Sequence, residues 1–256
     1  ENLSRKKAQY HTPTKSGLKK GVPIELTRKK SILAFFFCLI VFSLSFLFPV
    51  LQMLYWTVSF PKHLADLDII KLSLNTIFLV FFSSIVLISL SFISNYGNRV
   101  TRSKFLDGLT TFSISGYAIP GIILAIAFIT FVSWFDNNIV SLLGFKTIKS
   151  IFIGSILGLV LVYFIRFYSL ASNGIKSGYL KINYSIDESA YLLGYSKFKT
   201  FTNIHIPYLK NSILLISVLI SIEIIKELPI TLIMRPFNFE TFATTAYIFA
   251  SQDLLE

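Results

Sequence analysis

Five stretches of the chain are long, apolar and almost free of charge, with polar segments between them. A helix needs about 20 mostly apolar residues to cross a bilayer. Residues 31–60 carry no charge, and Pro49 inside them predicts a bend. Residues 72–98 form the second uncharged run, apolar as far as Ile93, with Asn75 and Asn98 as polar edges. The third, 108–135, is interrupted by Pro120-Gly121. The fourth runs over about 151–165, with Arg166 near its inner end. The fifth starts near Asn211, is apolar to Ile222, and then meets Glu223, Lys226 and Glu227. The pattern predicts an all-α fold, a polytopic transmembrane helical bundle of about five spans. Phe35 to Phe37 and Phe81-Phe82 read as lipid or packing surface.

Composition agrees with this reading. Of 256 residues, 54% are hydrophobic and 14% charged, against roughly 25% charged in a soluble domain. The mean hydropathy is +0.68. These values argue against a soluble enzyme and against disorder. Cys38 is the single cysteine, and His11, His63 and His205 are scattered, so the sequence offers no disulfide and no metal-ligand cluster. The net charge of +11 could indicate nucleic acid in a soluble protein. Its distribution indicates topology instead, because cytoplasmic loops are enriched in Lys and Arg.

Seventeen basic residues fall on one side of the five spans: nine before the first, then Arg99, Arg102 and Lys104, then Lys176, Lys181, Lys197, Lys199 and Lys210. Five fall on the other side, at Lys62, Lys71, Lys146, Lys149 and Arg235. The count predicts a cytoplasmic N-terminus, a cytoplasmic loop at 183–210, membrane lipid as the partner of the basic flanks, and no nucleic acid.

Residues 173–210 form a long polar stretch, and 183–210 within it has helical structure written into it. Ser185 and Glu188 have the spacing of a capping box. Ile186, Ser189, Ala190 and Leu193 then share a helical face, and Gly194 suits the left-handed residue that ends a helix. Ser196 can cap a second short helix with Phe198, Phe201, Thr202 and His205 on one face, and Pro207 suits the first turn of the fifth span. Such a helix pair either docks onto a protein or lies on the lipid headgroups.

Glu188-Ser189-Ala190, Gly194 after three residues, Ile204 after nine more, and Ile206-Pro207 resemble the EAA loop of ABC importer permeases, whose pattern is EAA-x3-G-x9-I-x-LP. Every spacing matches, with Ser189 in place of an Ala and Ile206 in place of a Leu. The resemblance implies that Asp187, Glu188, Ser189, Ala190, Gly194, Ile204, Ile206 and Pro207 form the coupling surface. There a short helix would sit in a groove of an ATPase subunit, and Ala190 and Gly194 would permit close approach. Residues 226–245, KELPITLIMRPFNFETFATT, are similar to a segment of fused, two-module ferric iron importer permeases, as are 117–125 and 163–167.

This second resemblance implies a basic cytoplasmic linker at 1–30 and a permease module at 31–256 that lacks its last span. It also implies an ATP-binding cassette ATPase dimer and a periplasmic substrate-binding protein as partners, the other permease module in the same full-length chain, and a bacterial inner membrane location. Binding-protein contacts would lie on outer loops, at Arg235, Pro236 and Phe237. No cofactor is expected on this chain. ATP would belong to the ATPase, and the chain has no GxxxxGK[ST] phosphate loop and no expected catalytic residue.

Glu223, Lys226 and Glu227 are spaced i, i+3 and i+4, so a continuous helix would put them on one face. Counted from Asn211, Glu223 lies roughly 18 Å along the fifth span, near mid-membrane. Ionisable residues at that depth face protein or a water-filled path. Pro229 just beyond them predicts a broken helix, where transporters place pathways. The three residues therefore serve either as pathway groups or as an ion-pair network to a neighbouring span. Arg166 reads as structural, snorkelling to headgroups or capping carbonyls. The same fold could carry thiamine, polyamine, sulfate or phosphonate. An ion-driven transporter using the three charges as a relay is the reading from another class, and a membrane enzyme lacks any supporting constellation.

Overall fold

The computed structural model describes residues 26–59, 68–101, 103–135, 138 and 152–252. Most of the basic 1–30 segment lies outside these, with His11, His63, Arg102, Lys146 and Lys149. The described residues form helices and turns, with no strand among them.

The chain divides into a unit of residues 1–69 with 254–256 and a unit of residues 70–253. Helix α1, Arg28–Ser59, belongs to the first. It has no buried residue, and its surface is Phe, Leu, Ile and Val almost throughout, as a lipid-facing span requires. Pro49 does not break it. A proline lacks a donor and its ring crowds the carbonyl four residues back, here Ser45. The helix widens into a π turn over Ser43–Leu47 and continues from Phe48.

The second unit holds the remaining helices: α2 Ile69–Thr101, α3 Lys104–Ser113, α4 Gly121–Phe135, α5 Ile156–Tyr179, α6 Tyr184–Leu192, α7 Lys197–Ile225, α8 Pro229–Met234 and α9 Phe242–Ser251. Among the described residues, four helices (α1, α2, α5 and α7) are long and apolar enough to span a membrane. A 3₁₀ turn, Ile114–Ala118, extends α3, and the pair Lys104–Ala118 and Gly121–Phe135 bends by 117° at Ile119-Pro120. Counted as one broken span, this pair makes five. The third apolar run is therefore a sharply bent element rather than a straight crossing. Pro120 has no donor to continue the ladder and opens the new helix with its own carbonyl, which accepts from Leu124 N.

Helix α5 is the centre. Leu159, Val162, Tyr163, Phe167, Ala171 and Ile175 are all essentially inaccessible. They meet Leu79 and Leu87 of α2, Leu124 and Ala125 of α4, Ile216, Ile220 and Ile224 of α7, and Ile230 and Met234 of α8 in one cluster. Helices α5 and α7 approach closely because Gly174 and Gly178 lie one turn apart on their shared face. A Cβ at Gly174 would sit 2.6 Å from Ile216 Cγ1, and one at Gly178 would sit 2.8 Å from Leu209 Cδ2. Small residues four apart bring apolar helices together where lipid offers no hydrophobic drive to do so.

Replacing Gly174 with valine should therefore cost about 1–3 kcal/mol by overpacking. Gly97→Ala, at a position with nothing within 4 Å, should leave stability unchanged or raised. Thermal unfolding of both variants in detergent checks the pair; equal behaviour would contradict the packing.

Candidate functional site

The polar segment after α5 is ordered at both its turns. Asn183, not Ser185, caps α6: its Oδ1 accepts from Ser185 N at 3.3 Å. The helix thus starts two residues earlier than the Ser185–Glu188 spacing suggests. Ser185 lies inside the first turn, where its carbonyl accepts from Ser189 Oγ at 2.8 Å. Gly194 ends the helix as expected, at φ +81°, with Gly194 N bonded to Tyr191 O and Tyr195 N to Ala190 O, both at 3.0 Å. Ser196 caps the next helix by accepting from Lys199 N at 3.2 Å.

That next helix is not a separate short one. It is the start of α7, which passes through a π turn at Phe201–His205 and runs on into the fifth apolar stretch. Pro207 sits beyond that turn as Pro49 sits beyond its own, with Asn203 four residues back inside the widened segment. The extra residue rotates the helical register, so the expected face is split. Thr200 and His205 are buried, Phe201 packs on Phe92 and Tyr96 with centroids at 5.1 and 4.8 Å, and Phe198 points away.

Two surfaces result. Asp187 and Ala190 face inward, so Ala190's small size serves packing within this chain. At Gly194 a Cβ would meet nothing within 4 Å, so here the backbone conformation, rather than space, requires glycine. Outward lie Glu188, Ser189 and an apolar tip of Leu192, Leu193 and Phe198, which are 89%, 77% and 75% exposed. Ile204 is half-buried, and Ile206 and Pro207 are exposed. The sequence signal for the tip is the Leu-Leu pair before Gly194. Arg99 and Tyr96 are partners of this segment that no local pattern singles out: Arg99 pairs with Asp187 at 2.7 Å.

The intramembrane charges do not form the expected unit of three. Helix α7 ends at Ile225, before Glu227 can take its place on the helical face. Glu223 pairs with Lys226 at 2.7 Å, and the Lys226 side chain is 62% exposed. Glu227 turns instead toward α5: its Oε2 lies 3.3 Å from Arg166 Nε, and its Oε1 accepts from Ile230 N. The apolar pattern puts Arg166 near the inner end of its span. Helix α5 in fact continues to Tyr179, so Arg166 is the eleventh of its 24 residues, about 15 Å from Ile156. From there its Nη1 donates to Ile119 O at 2.6 Å, the carbonyl freed by the bend between α3 and α4.

One turn away, the Tyr163 hydroxyl bonds Thr231 Oγ1, which in turn donates to Glu227 O at 2.6 Å. Both helix interruptions thus meet on one face of α5. Gly121 makes room for the junction, since a Cβ there would lie 2.8 Å from Glu227 Oε1.

Arg235, Pro236 and Phe237 form a turn between α8 and α9. Arg235 pairs with Glu240, Asn238 adopts φ +62°, and Phe237 is fully exposed at the tip. The turn is fastened to the start of α2. Lys71 Nζ donates to Asn238 Oδ1 at 3.4 Å, Asn75 Nδ2 to Glu240 O at 3.0 Å, and Phe242 N to Thr76 Oγ1 at 3.2 Å. The other end of α2 holds the 183–210 segment, about 42 Å away from Lys71 to Arg99.

Residues 88–248 match the family of binding-protein-dependent transport system inner membrane components. The chain belongs to that family. The match spans α2 from its middle to most of α9, so it includes both helix interruptions and the whole 183–210 segment. No curated protein matches the chain. As a permease of this family the chain is a transport subunit of an ABC importer, a multi-pass component of the inner membrane that works with an ATPase and a binding protein.

In the permease, Arg166→Met should destabilise strongly, by about 3 kcal/mol, because it leaves the buried Glu227 carboxylate unpaired, and Glu227→Gln less, because Arg166 is partly exposed and keeps its bond to Ile119 O. The double variant should be milder than their sum by about 1 kcal/mol or more. Lys226→Met and Glu227→Gln should be additive within about 0.5 kcal/mol. Thermal unfolding of the purified protein measures both cycles, and coupling in the second but not the first would contradict the split.

Proposed function

We propose that this permease module carries ferric iron delivered by a periplasmic binding protein, with the 183–210 segment as the surface that receives the ATPase. The observation that carries the coupling role is the outward tip of Leu192, Leu193 and Phe198 on a helix capped at Asn183 and stopped at Gly194. An exposed apolar cluster on a polar, rigid segment marks an interaction site. Its neighbours Glu188 and Ser189 are exposed beside it, and Asp187 and Ala190 anchor the helix from behind. Iron as the cargo rests on the resemblance of residues 226–245 to ferric iron permeases.

The mechanism is alternating access. ATP closes the ATPase dimer, the dimer displaces α6, and the displacement passes into the spans. The N-terminus and the 183–210 segment lie on the cytoplasmic side, and the Arg235–Glu240 turn, with Phe237 at its tip, faces the binding protein. Glu223 and Lys226 support a pathway role: a lysine this exposed between two apolar helices, α7 and α8, requires water or another protein chain rather than lipid beside it.

Leu192→Asp with Leu193→Asp should abolish co-purification of the ATPase while leaving the permease in the membrane at normal yield. Gly194→Leu, strained at positive φ by about 1–2 kcal/mol, should reduce uptake of radiolabelled ferric ion at least tenfold. Full uptake by both variants would sink the coupling role; uptake of another cargo with none of iron would sink the cargo assignment alone.

A further inference from the structure

Helix α6 is joined by the chain to α5 before it and to α7 after it. It also grips α2, which is distant in sequence, through one side chain at its centre. Arg99, in the last turn of α2, has its side chain only 7% exposed. Its Nε and Nη2 lie 2.8 and 2.7 Å from Asp187 Oδ2. Nη2 also donates to the carbonyls of Ile182 and Asn183, each at 3.1 Å. One guanidinium therefore holds both a carboxylate on α6 and the two carbonyls at the hinge where α6 leaves α5. Its Cζ lies 4.3 Å from the centroid of the Tyr184 ring and 5.5 Å from that of the Tyr179 ring.

The other Asp187 oxygen is held 2.7 Å from His205 Nε2, in the π turn of α7. One turn back on α2, the Tyr96 hydroxyl donates to Lys197 O at 2.6 Å, at the first residue of α7. The inner end of α2 thus holds α6 at its entrance and at its exit.

The outer end of the same helix holds the Arg235–Glu240 turn through Lys71, Asn75 and Thr76. Resting on the reading that the ATPase docks on the 183–210 segment, we propose that α2 is a rod connecting that surface to the outer turn, and that Arg99 is the positioning residue that makes α6 and α2 move together. A buried ion pair with its remaining bonds satisfied resists separation. Displacing α6 therefore carries α2 along rather than sliding past it. The fork matters as much as the charge, because lysine offers a point charge and cannot hold the carboxylate and two carbonyls in one plane.

The test uses the full transporter, reconstituted in vesicles with its ATPase and binding protein. It reads retention of the ATPase, basal ATP hydrolysis, and stimulation of hydrolysis by the loaded binding protein. Arg99→Met should keep the ATPase bound and the basal rate within about twofold, yet lose at least tenfold of the stimulation. Arg99→Lys should recover only part of it. A purely structural role would lower the amount of assembled transporter without changing stimulation per assembled complex. Unchanged stimulation in Arg99→Met overturns the proposal. If that variant is absent from the membrane, Arg99→Lys decides: a loss of threefold or more supports the rod, and full stimulation overturns it. Loss of both variants from the membrane makes Arg99 a folding residue and also overturns it. The docking reading is judged separately, by whether the Leu192→Asp, Leu193→Asp variant still retains the ATPase.

Discussion

A backbone carbonyl freed within a bilayer has no water to bond, so each break in a spanning helix has to be satisfied by protein. This chain breaks its helices twice within apolar stretches, at Ile119-Pro120 and at Lys226 to Leu228. Both breaks are closed by one unbroken helix, α5. Arg166 takes the Ile119 carbonyl and faces Glu227, and Tyr163 reaches Thr231. The surrounding fold follows from this junction. Gly121 keeps α4 close, the short helix α8 is held against α5, and α7 is free to end at a charged pair. A lone charge there would be costly, and the Arg166–Glu227 pairing keeps the junction close to neutral.

Much of this was legible in the chain. Uncharged runs marked the spans, Pro120 and Pro229 marked the interruptions, and Gly194 and Ser196 marked the turn between α6 and α7. The expected faces around Pro207 and Pro229 fail for one reason: helical register is not ideal near a proline. The π turn before Pro207 adds a residue, which turns Phe198 out of the face assigned to it. The stop at Ile225 likewise removes Glu227 from the face of Glu223 and Lys226. Arg166 was misplaced because the polar residues Ser169, Ser172 and Asn173 ended the apolar run early. Ser169 and Ser172 are buried in the centre of the bundle, where a polar residue does not end a span. Long-range partners such as Arg99 with Asp187 carry no local signal at all, since 88 residues separate them.

The candidate site is accordingly two surfaces rather than one. The 183–210 segment presents an apolar tip at one end of α2, and the Arg235–Glu240 turn presents Phe237 at the other. Among the described residues no cluster of three or more His, Cys, Asp or Glu could hold a metal ion. Glu223 and Lys226 lie beside the second of the two breaks, where α7 ends.

The account stands on these two surfaces lying on opposite sides of the membrane. The direct measurement is labelling of single cysteines, Ser196→Cys and Phe237→Cys, in a Cys38→Ser background, with an impermeant thiol reagent applied to spheroplasts. Phe237→Cys should label at once, and Ser196→Cys only after the membrane is permeabilised. Labelling of both from the same side would contradict the account.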